Sequence, residues 1–344
     1  MMTNQVPSPN RQLPKWLRSA TSVTAETLGD IRLSKENLGV KMKNIIRRNR
    51  PCPCGSGKKF KKCCIDNILY RNKHWTKEEV GWDSVDKIIS NLKLLGVTIS
   101  EKDFRKGCKS FYSAEDLSER WFEKYGLELS NYNEDYLWLA AWVLWGKLDN
   151  LDHDCDEIIG EEIEEGFRLF DFNQSMACKI WSDAWEQLII RYEDVRAIGD
   201  FENFFKGDVD LDYWCQIFDN GLDNCGSAVK SYAEYRIKFC STFLERFELS
   251  SEDIIKRMKR ALCESYFLIG QKKKGDECFK KLIKEYPRWV WGYIGWSDMY
   301  RPFALDSKTD EEIAFAKKIL EEGLEKAESE DDKNYIYERL DDLE

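Results

Sequence analysis

All seven prolines of this 344-residue chain lie near its ends: Pro7, Pro9, Pro14, Pro51 and Pro53, then none until Pro287 and Pro302. A proline-free span of more than two hundred residues favours helix, because proline mostly punctuates turns and strand edges. Helix starts are written into the same span. Ser100 with Asp103, Ser113 with Asp116, Ser250 with Asp253 and Thr309 with Glu312 each fit a box in which the acid returns a bond to the cap residue's amide. Stretches of alternating Val, Ile and Thr are lacking, so little sheet is expected. The fold class implied is all-α.

The spacing predicts helices over 84–95, 101–110, 114–125, 134–147, 156–171 and 175–192. Further helices follow over 213–246, 252–269, 273–286, 289–300, 310–326 and 331–342. Residues 1–30, polar and holding three prolines, read as a flexible leader, and 31–50 as a basic helix. The most apolar window, Tyr136 to Leu148, is too short to span a bilayer and reads as a buried helix. With no signal-like start and no transmembrane segment, a cytoplasmic protein is expected. Apolar residues at 42% supply a sizeable core.

The stretch Lys256 to Trp289 resembles a tetratricopeptide unit, a helical hairpin. Leu262, Tyr266, Gly275, Phe279 and Pro287 occupy its contact positions. A second copy carries Tyr293, Trp296, Ser297, Tyr300, Ala316, Leu320 and Gly323, and Ile158 to Leu188 reads as an earlier hairpin with Ala177 and Trp181 at the contact. This divides the body into a helical domain over 76–246 and repeats over 247–344. Trp138, Trp142 and Trp145, like Trp181 and Trp185, fall at helical spacing and read as core.

Charge is divided unevenly. Residues 1–75 hold 16 Lys/Arg against 4 Asp/Glu, leaving 37 against 59 for the rest. A basic head on an acidic body suggests two surfaces with different partners. The other reading is that the two halves neutralise each other.

Residues 51–64 read PCPCGSGKKFKKCC. Four thiols on so short a loop, Cys52, Cys54, Cys63 and Cys64, match the soft tetrahedral donor set that zinc prefers. One zinc ion is expected; iron suits the same ligands. The C-x-C spacing demands a sharp turn, which Gly55, Ser56 and Gly57 permit. Lys58, Lys59, Lys61 and Lys62 offset the negative charge of a four-thiolate centre, and Phe60 is the apolar plug. The other eight cysteines, Cys108, Cys155, Cys178, Cys215, Cys225, Cys240, Cys263 and Cys278, read as small buried hydrophobes in a reducing compartment. His153 beside Cys155 reads as part of an acidic turn, and His74 as a surface residue or an outer neighbour of the cysteine loop.

The run 51–65 resembles the SEC-C motif, the metal-binding tail of the SecA preprotein translocase and of several small bacterial proteins. The resemblance implies Cys52, Cys54, Cys63 and Cys64 as ligands, with Cys rather than His fourth. It also implies a docking knob for chaperones, ribosomes or membrane lipids rather than a reaction centre. It covers about twenty residues and not the motor, whose phosphate-cradling loop this sequence lacks. The expected function is a zinc-binding, non-catalytic adaptor, its knuckle and its helical surface each holding a macromolecule. A second reading is RNA or ribosome binding through Arg47, Arg48, Arg50, Lys58, Lys59, Lys61 and Lys62. A third is an enzyme with its active site in the helical body, for which no convergent motif speaks.

Overall fold

Helix initiation follows the caps only in part. Ser100 and Thr309 form reciprocal boxes with Asp103 and Glu312. Ser113 accepts from the Asp116 amide, but no bond returns from the acid. Ser250 caps nothing in its own helix: Ser251 is the boundary residue, and the Ser250 hydroxyl accepts from Ile198 N instead. The second difference has a visible cause: a residue from a distant element claims the Ser250 hydroxyl.

The computed structural model describes residues 48–52, 56–63, 68, 73–129, 131–300 and 309–343, all inside the unit Ile46–Glu344. Among them are fifteen α-helices and no strand. The first five are α1 (Lys77–Gly81), α2 (Val85–Leu94), α3 (Glu101–Cys108), α4 (Ala114–Tyr125) and α5 (Asn131–Lys147). They gather around α5, whose Tyr136, Leu137, Ala140, Ala141 and Leu144 are fully buried. The apolar window is thus a core helix, and no helix of the described residues is long and apolar enough to cross a membrane. The leader and residues 31–47 of the expected basic helix lie outside the described residues; Arg48–Arg50 form a turn and a bend.

Next come α6 (Asp156–Phe170), α7 (Gln174–Leu188), α8 (Ile198–Phe201), α9 (Leu211–Ala228) and α10 (Lys230–Arg246). α6 packs along α7 with no room to spare. A Cβ on Gly166 would stand 2.0 Å from Trp181 Nε1, and that indole donates to Ile163 O. The single helix expected over 213–246 is two. Gly226 lies against Ala233, leaving 3.1 Å for a Cβ, and Val229 turns extended between them. The chain doubles back to bury Phe218 against Phe239. The short α1 and α8 have too few residues to show a periodicity.

The last group is α11 (Glu252–Leu268), α12 (Lys272–Glu285), α13 (Val290–Asp298), α14 (Asp310–Lys326) and α15 (Glu330–Asp341). α11 pairs with α12 and α13 with α14, around Phe279, Tyr293, Trp296, Ala316 and Leu320. Gly275 meets the Phe267 ring and Gly323 meets Tyr293, each too closely for a Cβ. Cys263 and Cys278 depart from the expectation of unpaired thiols: their Cα atoms are 5.2 Å apart and a disulfide joins α11 to α12. Two facing helices bring these residues into bonding geometry, which sequence spacing does not reveal.

Buried polar groups tie the first group to the second. Glu157, at the start of α6, accepts from Ala114 N, Glu115 N and Trp138 Nε1, so it caps α4 from another hairpin. Next to it Asp156, fully buried, holds Arg191 and Tyr192.

Candidate metal centre

Residues 48–63 fold back on themselves through a handful of main-chain bonds. Phe60 N donates to Arg50 O and Cys52 N to Lys58 O, each at 2.8 Å, and Lys61 N donates to Arg48 O at 2.9 Å. An isolated antiparallel bridge pairs Pro51 with Lys59. Gly57 sits at φ +70°, a left-handed turn that costs a glycine little. Phe60–Lys62 then form one 3₁₀ turn, closed by Cys63 N on Phe60 O at 3.1 Å. This small hairpin returns Cys63 to the neighbourhood of Cys52.

The two thiols differ in setting. Cys52 is buried and Cys63 exposed. Ser56, at the middle of the Gly-Ser-Gly turn, places its hydroxyl 3.1 Å from the Cys63 sulfur. The sequence shows Ser56 only as part of a permissive turn, so this contact is not legible in it. Groups that hold a ligand sulfur in place commonly decide whether a site is pre-formed. Phe60, the large apolar residue of the loop, is 4% exposed. The donor chemistry and the pairing of Cys52 with Cys63 fit a thiolate-held metal. Cys54 and Cys64, the other two expected ligands, lie outside the described residues, as do Gly55 and Arg47.

Every described cation of the loop faces solvent: Arg48, Arg50, Lys58, Lys59, Lys61 and Lys62 are exposed. The chain leaving the loop is anchored on the body. Ile68 is buried in the first core, and its carbonyl accepts from Asn133 Nδ2, while Trp75 Nε1 donates to Asn133 Oδ1. His74 reaches Asp135 at 2.6 Å, which makes it part of this anchor.

The weaker candidates resolve as packing. His153 contacts the Asp154 carbonyl, and Cys155 is fully buried ahead of α6. Among the described residues no group of three or more His, Cys, Asp or Glu side chains is arranged to hold a metal. Trp145, Trp181 and Trp185 are buried core. Trp142 stands at the edge of the first core, with Lys77 4.1 Å above its ring.

The SEC-C motif family model matches residues 48–65. Over 24 residues the chain is 79% identical to uncharacterized protein YccF of Bacillus subtilis (7% of each chain) and 71% identical to the protein translocase subunit SecA of Geobacter sulfurreducens (7% of this chain, 3% of that one). Over 36 residues it is 49% identical to SecA of Azobacteroides pseudotrichonymphae, covering 10% of this chain and 3% of the relative. The matches thus span a small fraction of these proteins, and the family model ends ahead of α1. No solved structure matches the chain.

Proposed function

We propose that this chain is a non-catalytic, metal-binding adaptor. Cys52, Cys54, Cys63 and Cys64 hold one zinc ion, with iron as the alternative, and the resulting knuckle docks one macromolecular partner. The tetratricopeptide-like hairpins of the body grip another. The observation that carries this reading is the loop itself: it brings Cys52 to Cys63 while turning its six described cations to solvent. Four thiolates around zinc close the coordination shell, so the metal supplies structure and no open position for a reactant. The motif shared with the translocase subunits supports a partner in protein export or a chaperone.

The exposed Arg48, Arg50, Lys58, Lys59, Lys61 and Lys62 favour a second reading within the first, in which the knuckle's partner is RNA or the ribosome. Such binding weakens steeply with salt through counterion release. Cosedimentation of the full chain with ribosomes across a salt series, alongside its Cys52→Ser/Cys54→Ser variant, tests it. Binding lost in the variant and at high salt supports the ribosome. Absence of binding at low salt removes that partner and leaves the protein adaptor, which a pull-down with and without the four cysteines then examines.

A further inference from the structure

Far along the chain from the knuckle, a cavity of about 460 Å³ opens on the face shared by α9, α11 and the start of α13. Its size lies within the range of small-molecule sites, roughly 300–1,000 Å³. Its floor is a buried ion network. Arg236, 3% exposed, donates to both oxygens of Asp219, to Asp223 Oδ1 and to Glu264 Oε2. Glu264 Oε1 accepts from Arg260 Nε at 2.6 Å, and the Arg260 guanidinium stacks over Trp291. These groups largely satisfy one another, as buried charges must.

Two charges at the rim are left unsaturated. Asp223 uses one carboxylate oxygen on Arg236; the other accepts nothing among the described residues, and the side chain is 43% exposed. Partial burial, with Glu264 and Asp219 nearby, pushes its carboxyl up against the pull of Arg236. Arg257, exposed on α11 one turn before Arg260, has its single hydrogen bond on the Gln216 amide oxygen at 3.0 Å and no carboxylate. Tyr213, 55% exposed, and Trp289 add aromatic surface to the lining. Three arginines face three carboxylates here, so a plain anion or cation would meet as much repulsion as attraction. A ligand carrying both charges meets neither penalty.

We propose that this cavity binds a zwitterionic aromatic amino compound: its ammonium pairs with Asp223, its carboxylate with Arg257, and its ring lies against Trp289 and Tyr213. Ammonium over aromatic carbon and guanidinium on carboxylate are both favourable in a partly dry site. The chemistry has two sources, a free amino acid or the ends of a very short peptide. This site is independent of the metal reading, because no knuckle residue lines it.

Titration calorimetry on the full chain tests the proposal, with L-tryptophan, N-acetyl-tryptophan, tryptophanamide and the dipeptide tryptophyl-glycine as probes. L-Tryptophan or the dipeptide should saturate one site, and which one binds tighter identifies the source. Acetylation and amidation should each weaken binding tenfold or more. Arg257→Gln, an exposed change that leaves the far-UV spectrum intact, should do the same, as should Asp223→Asn. No saturation by either zwitterion, undiminished binding after either charge is blocked, or undiminished binding to Arg257→Gln would overturn the proposal.

Discussion

The first three backbone N–H groups of α4 have no partner inside the helix, and their solution dictates a strong mutational effect. Asp116 N finds the Ser113 hydroxyl at 3.0 Å, while Ala114 N and Glu115 N each find a Glu157 oxygen at 2.9 Å. Trp138 Nε1 adds a third donor to that carboxylate at 3.2 Å. Glu157 is 3% exposed. Burial pushes its carboxyl up, and these donors pull it back. Replacing it with leucine keeps most of the volume but strands two amides and an indole. Each stranded buried donor costs about 1–3 kcal/mol, and relief from burying a carboxylate returns part of the sum. Glu157→Leu should therefore lose about 3 kcal/mol. Glu157→Gln keeps one acceptor oxygen and should lose about half as much. Urea unfolding followed by tryptophan fluorescence and near-ultraviolet circular dichroism reads the loss as a midpoint shift at constant slope. Glu164→Leu on the same helix, an exposed position, serves as control and should shift little. If Glu157→Leu unfolds within about 0.5 kcal/mol of the parent, an ordinary surface-scale effect, the capping argument is refuted.

Gly166→Ala should cost about 2 kcal/mol, because its Cβ would stand 2.0 Å from Trp181 Nε1 and push the indole off Ile163 O, which overpacking and a lost hydrogen bond price at that level; an unchanged melting temperature would contradict the packing of α6 on α7. Burial, with Asp154 and Asp183 nearby, pushes the Glu162 carboxyl up to about 7, and its Oε2 is buried without a hydrogen-bond partner. A folded value above the unfolded one means that ionisation costs stability, nothing below about pH 4.5 and the full amount above about pH 7. Glu162→Gln should then stabilise the protein at pH 8 by about 1 kcal/mol, after discounting for the carboxyl's remaining solvent contact, and do nothing at pH 4.5; equal effects at both would refute it. Chelating the metal should leave the helical circular-dichroism signal and its melting transition nearly unchanged, because the ligands span thirteen residues and the anchor at Ile68 and Asn133 uses none of them; a large loss of helix would show the knuckle to be part of the core.

What the sequence disclosed and what it hid follow from the reach of each interaction. Ser100 and Thr309 announce α3 and α14 because their partners lie three residues away. The burial of Phe60 is legible because it is the one large apolar side chain in its loop. The break at Val229 is invisible, since Gly226 meets Ala233 only after the chain has turned. Ser250 is drawn away by Ile198, and Glu157 serves amides more than forty residues upstream. Nothing local distinguishes Cys263 and Cys278 from the buried thiols of Cys215 or Cys240. In the candidate metal centre the four cysteines are plain in the spacing, but the Ser56 hydroxyl on Cys63 depends on a turn that a glycine-serine run leaves open.

The central claim, that Cys52, Cys54, Cys63 and Cys64 hold one metal ion, is tested most directly by native mass spectrometry of the full chain purified under zinc-replete conditions. The account predicts a single added metal per chain, with a mass matching zinc, and its loss in the Cys52→Ser/Cys54→Ser variant. A protein that carries no metal, or a double variant that retains it, would contradict the account.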